Sequence, residues 1–430
     1  MDKYRQIVGK LNWFLFLAVA FTLSFSPAVL RIVWVAWLIS WFLEFRFLDK
    51  KNFSFSKYLV PSLMLLVFFL WQCLSYFWTI DKVTASVVLE RQVSFLFLPL
   101  IMMFGVNENY DLKKSIFSFI IGTIVISISY INNVVILSNY RNILNSNYFN
   151  VLTDLEFEKF LKNFAHYFGF IRHHAFFSNV LIIASIFLLF VYKDIKEKIG
   201  KNLTLVLTFA YLAINCYFFI YLVDSRASLL TITLLIFIGV SVYFFSKKRS
   251  WIVVLCSSIL VVTTFILILS FHPRLNNIRI DRLIKIEQVE DKDDARLKIW
   301  STALRHIDEY LFIGKGVGSS SLFLEQKNIE DNIFSKNFVE KRFHSHNQYI
   351  ETTIEMGVFA LLLFISAFVY QIYISRKPRV KRLGFFIVIT FAVKSLFDAM
   401  FRWDDVIILL CFIFLILYWL NTNKCQKSDN

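Results

Sequence analysis

Runs of about 20 apolar residues, separated by short polar clusters, recur along the whole chain. A helix needs about 20 such residues to cross the hydrocarbon core of a bilayer. The runs near 9–25, 28–47, 58–78, 84–104, 115–137 and 174–192 each meet that length, as do 203–223, 227–246 and 251–271. Three more lie near 348–374, 381–400 and 404–421. The pattern predicts an all-α polytopic integral membrane protein of about twelve transmembrane helices. Residues 1–271 form one membrane region with nine helices, and 348–421 form another with three, followed by a tail at 422–430.

Two segments break the rhythm of short loops. Residues 138–173 form an outer loop, and residues 272–347 form a large polar loop or cap between the ninth and tenth spans. Loops this long are usually functional or disordered. Trp300, Leu304, Ile307 and Leu311 recur at helical spacing, which predicts an ordered helix inside the larger one.

Composition sharpens this picture. The chain has 430 residues, 57% of them hydrophobic and only 18% charged, too little charge to cover a soluble surface of that size. Its formal charge of +15 would suggest nucleic acid in a soluble domain. Here the excess lies in short loops between apolar runs, so it signals topology and contact with anionic membrane lipids, and no nucleic-acid partner is expected. Cys73, Cys216, Cys256, Cys411 and Cys425 show no CxxC spacing, so neither a zinc site nor a disulfide framework is indicated. The basic start, Met1 to Lys10, precedes an apolar run that reads as a retained first span rather than a signal peptide.

Lys and Arg concentrate in alternate loops. Arg46, Lys50, Lys51 and Lys57 fall on one side, with Lys193, Lys196, Lys198 and Lys201, and with Arg376, Lys377, Arg379, Lys381 and Arg382. The short loops of the other side hold only Lys82, Arg226 and Arg402. The positive-inside rule then places both termini in the cytoplasm and the two long loops outside.

That orientation gathers the unusual polar residues on the outer face, away from cytoplasmic ATP. Arg172-His173-His174 lies at the mouth of the sixth span, and Asp224-Ser225-Arg226 fills the turn between spans seven and eight. Arg296 sits in the large loop, and His344-Ser345-His346-Asn347 immediately precedes the tenth span. His346 at a helix N-terminus would be held neutral by the positive end of the helix, the form a general base needs. Read alone, the histidines fit ordinary interfacial residues equally well. Glu351 and Glu355 follow Asn347 at successive i+4 steps, and carboxylates at that depth require partners or a polar cavity. Arg226 and Arg296 have the planar fork that suits phosphate, while a local ion pair and a solvated charge are their plainer readings. Glu90 and Arg91, about two turns below the outer surface, cannot face each other and need separate partners. Lys394 and Asp398 can pair at i+4. Gly314-Lys315-Gly316-Val317-Gly318 lacks the full phosphate-loop spacing and reads as a glycine-rich turn.

Taken in order, these motifs resemble the O-antigen ligase/polymerase superfamily. The resemblance rests on Asp224-Ser225-Arg226-Ala227-Ser228, Ala295-Arg296-Leu297-x-x-Trp300 and Phe312-Ile313-Gly314-Lys315-Gly316-Val317-Gly318. It continues through His344-Ser345-His346-Asn347-Gln348-Tyr349-Ile350-Glu351, Glu355-Met356-Gly357 and Ser395-Leu396-Phe397-Asp398. At the sixth span His174-Ala175-Phe176-Phe177-Ser178-Asn179 departs from the family's Gly-Thr-Phe-x-Asn-Pro-Asn-like stretch.

The resemblance implies a metal-independent, inverting glycosyltransferase of the bacterial inner membrane that works at its periplasmic face without a cofactor. The donor would be a glycan on undecaprenyl pyrophosphate, and the acceptor a sugar hydroxyl of lipid A–core. A polymerase joining two undecaprenyl-linked units, or a relative that glycosylates protein, shares the same motifs. By this resemblance His346 is the general base, with His344 the second candidate. Arg226 and Arg296 face the pyrophosphate, with Arg172 and Arg91 as further candidates, and Asn347, Glu351 and His174 support them. A flippase for the same lipid-linked glycans is the reading from another class, and it would need ionisable residues deep along a path through the spans. Arg91, Lys394 and Asp398 are too few for that.

Overall fold

The computed structural model describes residues 2–48, 53, 55–105, 110–147, 174–217, 226–246, 259, 263, 295–331 and 344–422. Its helices are α1 (Asp2–Thr22), α2 (Pro27–Leu43), α3 (Val60–Ser75), α4 (Lys82–Gln92), α5 (Ser94–Phe104) and α6 (Leu112–Asn147). They continue with α7 (His174–Ile199), α8 (Lys201–Tyr217), α9 (Arg226–Ser246), α10 (Ala295–Arg305) and α11 (Ser320–Glu330). The last three are α12 (Gln348–Ile374), α13 (Pro378–Ser395) and α14 (Asp404–Thr422). No strand occurs among the described residues.

Seven helical segments among the described residues are long and apolar enough to cross a membrane: Pro27–Leu48, Lys57–Ser75, Lys82–Phe104, Leu112–Tyr130, Phe176–Ile199, Gln348–Ile374 and Asp404–Thr422. Each coincides with one of the runs read from sequence. The runs at 9–25, 203–223, 227–246 and 381–400 are helical over most of their described length, although they are not among these seven. The run at 251–271, apart from Ile259 and Thr263, lies outside the described residues, as do 148–173 of the first long loop.

The chain divides into two compact units. The first comprises residues 1–56, 100–218 and 404–430. Its core is aromatic: Phe16 meets Trp37 at 5.1 Å and Phe412 at 5.5 Å between ring centroids. Two of the indoles in this unit place their polar edges on partners: Trp37 Nε1 donates to the Tyr110 hydroxyl at 2.9 Å and Trp41 Nε1 to the Gly105 carbonyl at 3.0 Å. Every side chain from Asp405 to Trp419 is buried.

The second unit comprises residues 57–99 and 219–403. Here α12 packs along α3, and α13 packs against both α12 and α9. Within the large loop, α10 and α11 pack on each other and on the start of α12. Ile299, Ala303, Tyr310, Phe323, Leu324 and Ile354 form their shared core, with Trp300 against it. The helix predicted from Trp300 and Leu304 is therefore present, but it ends at Arg305 and buries a different face. Leu304 is 60% exposed, because the shared core is met by Ile299 and Ala303 with the flank of Trp300, and not by the rest of the 300/304/307/311 series.

The decisive local feature is a break in α12. Gly357 has φ +76° and ψ −178°, a conformation essentially reserved for glycine, so the helix splits between Met356 and Val358. The carbonyls freed by that break find other donors. Ile354 O accepts from Lys315 N and Glu355 O from Gly316 N, each at 2.8 Å, and Met356 O accepts from Trp71 Nε1 at 3.0 Å. Val358 N in turn donates to Leu311 O at 2.6 Å. The glycine-rich turn thus serves as a splice for a discontinuous helix, satisfying backbone groups that lipid could not. A Cβ on Gly316 would lie 2.3 Å from Thr79 Cα, and one on Gly318 2.6 Å from Ala85 N. Lys315 is engaged as well, pairing with Glu309 at 3.3 Å.

Candidate functional site

The site begins at the N-terminus of α12. Asn347 is its N-cap, its side chain accepting from Tyr349 N at 2.9 Å and Ile350 N at 3.1 Å. Just before it, His346 has φ +49°, in the left-handed region that non-glycine residues rarely occupy. The turn is held on several sides. Trp300 Nε1 of α10 donates to Ser345 O at 2.7 Å, and Ser345 Oγ donates to Glu351 Oε2 at 2.6 Å. Ser345 N also donates to Glu351 Oε2, at 3.3 Å, and Asn347 N to Ser345 Oγ at 3.2 Å.

The two histidine rings lie with centroids 3.7 Å apart. His344 Nδ1 accepts the backbone N–H of His346 at 3.2 Å, so the neutral ring carries its proton on Nε2. The His346 ring makes no hydrogen bond among the described residues and is only partly buried, leaving both nitrogens open. Burial, then the nearby His344 and then the Arg296 charge, push the His346 imidazolium down to about 3. Burial lowers His344 too, with Glu351 opposing it. Both rings are therefore neutral at working pH.

Glu351 is 2% exposed and Glu355 4%. Their cation is Arg402, on the 3₁₀ turn Met400–Arg402 between α13 and α14. Its Nε donates to Glu351 Oε1, its Nη2 to Ser320 Oγ and Ser321 Oγ, each at 2.9 Å, and Nη2 lies 4.0 Å from Glu355 Oε1. Ser320 Oγ donates to Glu351 Oε1 at 2.7 Å. Glu355 Oε1 itself makes no hydrogen bond. In the sequence Arg402 reads only as a charge in a short loop. Two carboxylates inside an apolar span were the available signal, since they demand a cation at the same depth.

Other sequence candidates separate clearly. Arg91 is half-buried; its Nη1 donates to Arg402 O at 2.8 Å and its guanidinium lies 6.0 Å from the Trp403 ring. It meets no carboxylate among the described residues. Glu90, expected to be buried beside it, is exposed, because it points away from the face of α4 that Ala85, Val88 and Gln92 bury. Lys394 is 3% exposed and donates to Ser228 Oγ, in the first turn of α9, at 2.5 Å, with the Asp398 charge acting on it as well. Arg296 is exposed in the first turn of α10, and its charge reaches both histidines. Arg172, and the side chains of His174 and Arg226, lie outside the described residues. No cluster of metal-binding side chains occurs among the described residues.

Residues 208–365 match the family profile described as O-antigen ligase. This match supports the superfamily resemblance drawn from the motifs, and the apolar helices mark a multi-pass membrane protein. The matched stretch contains Arg226, Arg296, the His344–Asn347 turn, Glu351 and the helix break at Gly357, whereas Arg91 and Arg402 lie beyond its limits. No curated protein matches the chain.

Proposed function

We propose that the protein transfers a glycan en bloc from undecaprenyl pyrophosphate to a sugar hydroxyl of lipid A–core at the periplasmic face of the bacterial inner membrane, with both termini cytoplasmic. The observation that carries this reading is the His346 ring: neutral, open at both nitrogens and fixed at a helix N-terminus within a ligase-family domain.

A sugar hydroxyl is a poor nucleophile until its proton has somewhere to go. His346 takes that proton as the hydroxyl oxygen attacks the anomeric carbon. The bond from that carbon to the pyrophosphate oxygen breaks on the opposite face, so the centre inverts. The departing lipid pyrophosphate keeps the electron pair, and Arg226 and Arg296 offset its growing charge without waiting for solvent to reorganise. Arg91 suits the same role, because among the described residues its guanidinium meets a carbonyl and a ring but no carboxylate. Arg172 and His174 are assigned to this outer rim by the family resemblance. His344 backs the base, and Asn347 with Glu351 holds the turn in place.

The deciding experiment incubates purified protein with an undecaprenyl-pyrophosphate glycan and separate acceptors. Product on lipid A–core supports the ligase. Product only on a second undecaprenyl-linked unit assigns a polymerase, and glycosylated protein assigns the third relative. Movement of the donor across the bilayer without transfer would replace the enzyme by a flippase.

A further inference from the structure

The charge of Arg402 is already committed inside the protein. Guanidinium Nε meets Glu351, and Nη2 meets Ser320 and Ser321 with Glu355 4.0 Å away. A guanidinium facing two buried carboxylates has little left for a diphosphate. Its setting is also rigid. Phe401 N donates to Gln348 Oε1 at 2.7 Å, Gln92 Nε2 donates to Phe401 O at 3.1 Å, and Arg91 Nη1 donates to Arg402 O at 2.8 Å. Phe401 itself is wedged against Phe364, Phe95 and Phe68 at centroid distances of 5.0, 5.6 and 5.9 Å.

We propose that Arg402 is a positioning residue for the His344–His346 turn, acting through Glu351. The path is short and continuous. Arg402 and Ser320 hold Oε1 of Glu351, which leaves Oε2 to accept both the backbone N–H and the hydroxyl of Ser345. Ser345 is flanked by the two histidines, and the left-handed backbone of His346 persists only while its surroundings impose it. Without Arg402, Glu351 and Glu355 would face each other as buried carboxylates lacking their cation. One would take up a proton and Glu351 would turn, releasing Ser345. The base would then lose its aim, although no group touching substrate had been removed.

This inference rests on the transferase reading, and the experiment separates the two. Full-length protein in nanodiscs is assayed with the undecaprenyl-pyrophosphate glycan and lipid A–core, comparing wild type, Arg402→Gln, Arg402→Lys, Ser345→Ala and the pair Arg402→Gln/Glu351→Gln. Histidine acylation by diethyl pyrocarbonate, read by mass spectrometry on the 344–346 peptide, gives a second measure that needs no turnover. Displacing a catalytic group by about 1 Å costs roughly 100-fold, so Arg402→Gln should lower kcat by that order while the donor KM changes less than about threefold. Ser345→Ala should lower kcat in the same sense without leaving a buried charge unpaired. Arg402→Lys and the charge-neutral pair should each recover part of the loss. Acylation of the turn should quicken in Arg402→Gln and Ser345→Ala. A raised donor KM with unchanged kcat would make Arg402 a donor ligand and overturn the proposal, as would wild-type kcat with unaltered acylation. Should Arg402→Gln not fold, Ser345→Ala decides alone. A wild-type protein inactive with every acceptor sinks the transferase reading, and acylation still judges the tether.

Discussion

His344 Nδ1 accepts the backbone N–H of His346 at 3.2 Å, and this contact divides the two histidines by role. The first ring is tied to the chain and fixes the turn, whereas the second is untied. His346→Ala should therefore reduce glycan transfer by about 10²–10⁴-fold, the usual contribution of a general base, with membrane insertion intact. His344→Ala should cost less. Transfer rates in nanodiscs, beside a folding check by size-exclusion, distinguish them, and a fully active His346→Ala protein removes the base assignment.

The pH response follows from the depressed His346 imidazolium. At about 3 it lies far below the ordinary 6.5, so the ring stays neutral as pH falls from 8 to 5, and kcat/KM should show no acid limb near 6.5 from this group. Stability carries the opposite sign. Between those two values the unfolded chain binds more protons than the folded one, so the contribution is intact above about 6.5 and declines as pH falls toward 3. Melting temperature should drop less steeply between pH 7 and 4.5 in His346→Asn than in wild type.

Lysine replacements test the cation set. Arg226→Lys and Arg296→Lys keep the charge but lose the planar fork, so each should lower transfer substantially. Arg91→Lys should act in the same direction, because its guanidinium spans a carbonyl and an indole face. Wild-type rates in all three would make these charges structural.

Gly357→Ala addresses the splice in α12. An alanine there would carry φ +76° and place its Cβ 2.1 Å from Phe312 O. Backbone strain alone should cost roughly 1–3 kcal/mol, and the clash adds to it. Thermal unfolding in detergent should show a clear loss, larger than for Gly105→Ala, where no atom lies within 4 Å of the added Cβ.

The apolar runs determined much of this protein's helical fold without any coordinates. Those signals are local: a run of about 20 apolar residues has to hydrogen-bond itself as a helix in lipid wherever it sits. Seven of the predicted spans appear as such helices, and His346 was legible because a histidine beside a helix start is visible in the sequence. Tertiary structure alone decided the pairings. Arg402 lies 51 residues from Glu351, and Trp300 lies 45 from Ser345, distances over which no periodicity carries information. Likewise, the glycines at 314, 316 and 318 read as a turn, yet only packing against the broken helix, Thr79 and Ala85 respectively shows why a side chain has no room there. Burial creates that need: a carboxylate or a freed carbonyl removed from water must find its partner in space, wherever the chain happens to supply it.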